Sequence, residues 1–218
     1  MLKVFIGWDS GMTDVAETFA HSLKMYSSIP LDIRYLKLQE LDFHRNDKTG
    51  NTEFTYSRFL IPHLCNYEGK AIFMDNDMFC LPKGDLKELD DLDMTNYAIR
   101  CRKHDQVVKT GTKMDGKPQE AYPRKNWSSF MIMDCSKLKC WTKEAAETQS
   151  PAWLHRFEPI PDEQIGEIPD GWNDLDHHDE NTKICHLTTY GPWHGWTDLP
   201  QCQLWFKYYY LYKSRKEQ

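Results

Sequence analysis

Short apolar runs alternate with amphipathic stretches along the chain, and that alternation sets the fold class before any single residue does. Leu2-Lys3-Val4-Phe5-Ile6 is apolar and β-branched and stops at Gly7-Trp8-Asp9-Ser10-Gly11, which reads as a strand entering a loop. Val15, Phe19, Ser22 or Leu23, and Tyr26 recur at helical spacing behind Thr13, taken as an N-cap, so a helix is predicted up to the turn before Pro30. Leu31 to Leu38 reads as a second strand and Asp42 to Thr52 as a polar loop. Phe54, Phe59, Ile61 and Leu64 surround Tyr56-Ser57-Arg58 in a predicted helix that Glu68-Gly69 closes. Ala71-Ile72-Phe73-Met74 is a continuous apolar run, as expected of a strand buried on both faces of a largely parallel sheet. Leu86, Leu89 and Leu92 stand among acids as a solvated helical turn with one apolar edge, and Lys103 to Lys125 is a long polar excursion. Ser129 to Met133 and Lys183 to Leu187 are further strand candidates. This βαβ rhythm predicts a single α/β domain over residues 1–218, with a mostly parallel central sheet flanked by helices.

The end of the chain breaks the pattern. Trp205, Phe206, Tyr208, Tyr209, Tyr210 and Tyr212 are interleaved with Lys207, Lys213, Arg215 and Lys216. Such a stretch fits a weak contact with a membrane surface or a partner. The simpler reading, and the one preferred, is a helix at about 200–218 that docks an aromatic face on the domain.

Composition narrows the function classes. With 27 Lys and Arg against 33 Asp and Glu the formal charge is −6, the wrong sign for a dedicated nucleic-acid binder. No run approaches the roughly 20 apolar residues that cross a bilayer, and Met1 to Ser10 lacks the pattern of a signal peptide, so a cytoplasmic location is expected. The 7 cysteines are an odd number without a CxxC pair, which disfavours a disulfide framework and a structural zinc and leaves them as mostly buried free thiols.

Asp75 and Asp77 are the sharpest chemical signal. Alternation along a strand points both carboxylates to one side, and the end of a buried strand is where open α/β sheets bind ligands. Two ionised carboxylates repel, and a divalent cation is the natural way to keep both charged; the competing reading is an Asx-rich turn around Asn76 that caps the strand.

The surroundings of this pair resemble the DxD region of GT-A glycosyltransferases, in particular the glycogenin-like and lipopolysaccharide galactosyltransferase-like retaining family. The matching elements are Tyr56-Ser57-Arg58-Phe59 with Pro62, the run Ala71 to Met74, and Asp75-Asn76-Asp77. Asn126 to Asp134 looks like the family's Asn-Ser-Gly strand, Asp162-Glu163-Gln164 like its Asp-Gln element, and Pro169 to Asn173 like its Trp-Asn turn. Cys185-His186-Leu187 leading to Gly191-Pro192-Trp193 is similar to its closing segment.

The resemblance implies a metal ion held by Asp75, Asp77 and His186 across the diphosphate of a nucleotide-sugar donor, with UDP the expected nucleotide and retention the expected outcome. A mixed oxygen and imidazole site suits Mn²⁺, with Mg²⁺ the alternative. It also implies Gln164 beneath the reacting sugar, with Glu163 the second candidate, and donor contacts from Gly7, Trp8, Asp9, Arg58, Asn76, Ser128, Ser129, Gly191 and Trp193. Each has a plainer reading: Trp8 packs, Asp9 caps the next helix, Arg58 makes a surface ion pair, His186 is a satisfied strand histidine, and Asp162 to Gln164 open a helix where acids are favoured.

Departures from the pattern bear on the donor sugar. Trp127-Ser128-Ser129 replaces the small-residue motif, and Gly191 stands where a phosphate-binding Lys is expected, a contact that His194 or Lys183 would have to replace. A haloacid-dehalogenase-type phosphatase is disfavoured, because Phe79 stands where that motif wants Thr or Val and the motif follows the third strand rather than the first. The remaining alternative is a non-catalytic nucleotide-sugar or glycan-binding protein on the same fold. The acceptor, whether glycan, lipid or protein, is not readable from the chain.

Overall fold

In the computed structural model, which describes residues 1–46, 50–104, 111–112, 118–119 and 123–216, the apolar runs become the interior of a six-stranded sheet. The strands in chain order are β1 (Leu2–Gly7), β2 (Leu31–Leu36), β3 (Lys70–Met74), β4 (Met78–Cys80), β5 (Ile99–Cys101), β6 (Gly111–Thr112), β7 (Pro118–Gln119), β8 (Phe130–Asp134), β9 (Ile165–Glu167), β10 (Asp174–Leu175) and β11 (Ile184–His186). The central sheet has the order β2-β1-β3-β8-β5-β9. Pairing is parallel for β1 with β2 and with β3, and for β5 with β9. β8 runs antiparallel between β3 and β5, so the predicted mostly parallel sheet carries one reversed central strand.

Strands covered on both sides need apolar residues at every position, and β3 and β8 meet that demand. Phe73, Ala71, Met131 and Met133 face a layer with Phe59, Ile61, Trp141, Leu154 and Phe157. Ile72, Met74, Phe130 and Ile132 face the other way, toward Phe19, Leu23 and Trp172. The helices of these layers are α1 (Thr13–Tyr26), α2 (Ile61–Leu64), α3 (Lys87–Asp90), α4 (Lys143–Thr148), α5 (Pro151–His155) and α6 (Pro200–Lys216).

Several boundaries differ from the sequence reading. Thr13 is the first helical residue and not the cap; Asp9 instead caps a 3-10 turn, Ser10–Met12, by accepting from the Gly11 N–H at 3.0 Å. The predicted helix around Tyr56 is a 3-10 turn, Ser57–Leu60, followed by the single turn of α2. Most of the polar excursion from Lys103 to Lys125 lies outside the described residues.

α6 docks as the packing reading expects. Trp205, Tyr208 and Tyr212 are buried, Tyr208 meets Tyr26 of α1 hydroxyl to hydroxyl at 3.1 Å, and Lys213 Nζ lies 2.7 Å from Asp14 Oδ2. Inward aromatics and paired lysines thus account for most of the aromatic-basic pattern, while Tyr210 stays exposed. Among the described residues no helix is long and apolar enough to cross a membrane.

Candidate active site

β3 ends at Met74 and delivers Asp75 to the rim of the sheet, where the Asp75 N–H donates to the Ser129 carbonyl at 2.9 Å. The chain turns through Asn76 and Asp77 straight into β4, which belongs to a second, three-stranded sheet of order β10-β11-β4. In that sheet β11 runs antiparallel to β4 and sets His186 opposite Met78. The Leu187 N–H donates to the Asp77 carbonyl at 2.8 Å and locks the register. Two strands over a hundred residues apart therefore bring His186 to the carboxylates.

Asp75, Asp77 and His186 each offer one ligand atom, and these atoms lie within 4.8 Å of one another. His186 Nε2 is 3.0 Å from Asp77 Oδ1 and 3.9 Å from Asp75 Oδ2. Asp75 Oδ1 and Asp77 Oδ1 are buried without an aligned hydrogen-bond donor, and the Nδ2 of buried Asn76 likewise has no partner.

The tautomer of His186 is fixed from behind. Asn173 is fully buried and left-handed, at φ 69°, on the turn that Gly171 opens at φ 83°. A Cβ at Gly171 would sit 2.3 Å from the Asn181 carbonyl oxygen, so that turn requires glycine. Asn173 Oδ1 accepts from His186 Nδ1 at 2.8 Å, while its Nδ2 donates to Ser129 Oγ at 3.0 Å and faces His104 Nε2 at 3.3 Å. With Nδ1 donating to Asn173, Nε2 faces the carboxylates, where a metal would have to displace the proton they favour on it, an orientation typical of metal-ligating histidines.

Arg58 closes the other side. Its side chain is 7% exposed, and Nη1 lies 2.8 Å from Asp75 Oδ1 and donates to the Ser128 carbonyl at 2.8 Å. Its guanidinium also lies over the rings of Phe73 and Phe54, at 4.7 and 5.2 Å from their centroids. The reading of Arg58 as a surface ion pair is therefore overturned: it is a buried cation held on three sides.

Electrostatics follow from this crowding. Burial pushes the Asp75 carboxyl up to about 6; Arg58 opposes the rise, Asp77 adds to it, and His186 opposes it. For His186 burial opposes the charged ring, but Asp77 and Asp75 outweigh it and its basicity is raised. His104 goes the other way, down to about 4, through burial and the positive charge of His186 and Arg102.

The other expected site residues are spread over the sheet and its loops. Gln164 and Glu163 sit at the start of β9, where the Ala98 N–H donates to the Gln164 carbonyl and the Asp134 N–H to the Ala98 carbonyl. Since Asp134 pairs with Lys70, this is the end of the sheet where β3 begins. The strand rise from Lys70 to Asp75 is on the order of 15 Å. The register thus sets the Gln164 backbone toward the opposite end of the sheet from Asp75. Trp8 is buried, 4.8 Å from the Tyr35 ring and under Lys37 Nζ at 4.9 Å, and Asp9 accepts from the Gly11 N–H. Gly7 leaves room for Phe54, whose ring would lie 2.5 Å from a Cβ there. Gly191 makes room for the Trp193 ring, 2.2 Å from a Cβ there, and Trp193 packs edge-on against Trp205 of α6. Lys183 pairs with Glu88 at 2.6 Å and is spent as a substitute for the missing phosphate contact. Ser128 and Ser129 are buried at the rim, Ser128 bonded to His155 and Ser129 to Asn126 and Asn173.

The mixed α/β sheet with a carboxylate pair and a histidine at its rim matches the GT-A fold of solved glycosyltransferases. The chain belongs to Glycosyl transferase family 8, whose sequence profile matches residues 9–164. It is 40% identical to Protein CDI of Arabidopsis thaliana over 93% of this chain and 84% of that protein. Its fold is similar to that of the galactosyltransferase LgtC solved with donor and acceptor sugar analogs, at 12% identity, TM-score 0.59 and 95% coverage of each chain. GlyE, a glycosyltransferase of Streptococcus pneumoniae TIGR4, matches at 17% identity and TM-score 0.60 over 95% of this chain, which spans only 60% of that protein.

Proposed function

We propose that this chain, as one GT-A-type domain over residues 1–218, is a metal-dependent enzyme that moves a sugar from a nucleotide-diphosphate donor, a UDP-sugar, to an acceptor with retention. The observation that carries the reading is the convergence of Asp75, Asp77 and His186 beside a buried Arg58 at the sheet rim. Carboxylate oxygens without aligned donors and one imidazole fit Mn²⁺, with Mg²⁺ as the alternative. When bound, the ion would neutralise the charge that grows on the diphosphate as its bond to the anomeric carbon breaks.

The chain's own residues do the rest. Arg58 fixes Asp75 and places a permanent positive charge at the rim, and Asn173 holds the His186 ring in one tautomer. Transfer breaks the bond from the anomeric carbon to the phosphate oxygen and makes one from that carbon to an acceptor hydroxyl oxygen, whose proton passes to the departing nucleotide diphosphate. The competing reading, a binding protein without turnover, rests on the loss of a lysine at Gly191. Incubating the protein with UDP-sugars and Mn²⁺ separates the two: free UDP should accumulate, and chelator should stop it. Tight binding of donor with no UDP released at any metal concentration would favour the binding protein.

Two further outcomes follow from the site. Asn173→Ala should weaken Mn²⁺ affinity by about 10- to 100-fold, measured by calorimetric titration, because the ring of His186 loses its anchor. An unchanged affinity would mean that the ring needs none. The second concerns pH. Asp75 and His186 bind protons more tightly in the fold than in the unfolded chain, so the stability they lend the metal-free protein is present at low pH and fades as pH rises through about 6. A metal competes with those protons, so the rise in melting temperature produced by Mn²⁺ should be larger near about pH 7.5 than near about pH 5.5. An equal or smaller rise at the higher pH would contradict this.

A further inference from the structure

The Gln164 backbone lies beside Ala98, where β3 begins, so a polar side chain tied to the rim near Asp75 is a further candidate to meet the sugar. One such residue is His155, the last of α5, bonded to Ser128, whose carbonyl accepts from Arg58. We propose that His155 reads a hydroxyl of the transferred sugar and so helps set which donor the enzyme accepts. This inference rests on the donor reading above.

Three observations carry it. First, His155 is tied to the rim: its Nδ1 lies 2.8 Å from Ser128 Oγ, and the Ser128 carbonyl takes the same Arg58 nitrogen that faces Asp75. Second, its ring is held in place, edge-on to Phe59 at 5.0 Å and tilted against Tyr56 at 5.9 Å. Yet the residue keeps some solvent exposure, while Leu154 and Phe157 around it are buried. A ring placed only for packing needs neither the bond to Ser128 nor the opening. Third, burial, with Arg58 and Arg45 close by, keeps the ring neutral, its pKa down to about 3. A neutral imidazole has one donor and one acceptor nitrogen. With Nδ1 engaged by Ser128, Nε2 is left to meet a sugar hydroxyl, which both donates and accepts. Arg124 and Asp162, the other charged pair on this side, are joined to each other and do not compete for the ring.

The test compares nucleotide with nucleotide-sugar. UDP and a panel of UDP-glucose, UDP-galactose, UDP-N-acetylglucosamine and UDP-xylose are titrated with Mn²⁺ into wild type, His155→Ala and His155→Gln, and donor hydrolysis is followed in parallel. For the donor that wild type hydrolyses fastest, His155→Ala should lose about tenfold in affinity and shift the preference among sugars. UDP itself should bind as before, and His155→Gln should recover part of the loss. Equal weakening for UDP and UDP-sugar would make His155 a packing residue and overturn the inference, as would no change for any sugar. Failure of wild type to bind UDP with any metal would instead overturn the donor reading, an outcome that the wild-type titration alone reveals.

Discussion

Asp77→Ala is expected to lower donor turnover by about 10³-fold at saturating Mn²⁺ while the protein stays folded. The split arises because Asp77 serves the fold and the site through different atoms. Its carbonyl accepts from Leu187 and pins β11 to the rim, and alanine keeps that carbonyl. Its carboxylate, 23% exposed, pairs with His186 at 3.0 Å and adds to the crowding that raises Asp75. Removing it takes away one of three ligand groups, and the repulsion of Asp75 that it relieves offsets part of the attraction to His186 that it removes, so the metal-free fold should survive the change. Release of UDP from donor, measured beside a thermal melt, checks both halves. A loss of turnover below about tenfold would remove Asp77 from the machinery.

Arg58→Met should destabilise the fold by about 3 kcal/mol at neutral pH, because it leaves Asp75 buried without its cation. The same change deprives the Ser128 carbonyl of its donor and strips a cation from the rings of Phe54 and Phe73. Since burial already raises the Asp75 pKa, the acid should take up a proton as pH falls, and the penalty should shrink toward about pH 5. Arg58→Lys should fall between, as one ammonium cannot place parallel donors on a carbonyl and a carboxylate. Urea denaturation at two pH values measures this; a loss under about 1 kcal/mol for Arg58→Met would mean that water screens the pair.

The contrast between Asp77 and Gln164 shows how far the sequence reaches. β1, β3, β8 and β11 were legible as apolar runs because a strand covered on both faces has no polar positions to confuse its period. Asp75 and Asp77 were legible because they end such a run. His186 was legible only through resemblance, since the three-stranded sheet that carries it pairs β11 with β4 across the chain. Gln164 shows the limit: motif order places it on the chain, but only strand register says which end of the sheet it reaches. The reversal of β8 was equally hidden, because an apolar run has no direction.

Other residues of the site lay outside the sequence argument for a different reason. In the sequence Asn173 is only the end of a turn; the available signal is a polar residue directly after Gly171 and Trp172, where a left-handed turn can bury an amide. His104 and His155 had no local signal at all. One follows a three-residue strand and the other ends a five-residue helix, and each gains its meaning from a partner at least 27 residues away. The aromatic tail shows the reverse case, in which the plainer expectation of packing accounts for most of a pattern that suggested a surface function.

Asp75, Asp77 and His186 are proposed to hold a divalent ion against a nucleotide diphosphate. Calorimetric titration of UDP into the protein with Mn²⁺, repeated with chelator and with Asp77→Ala, tests it most directly. The account predicts micromolar binding that disappears in both controls. Binding of UDP with equal affinity in the presence of chelator, or no binding of UDP under any metal condition, would contradict it.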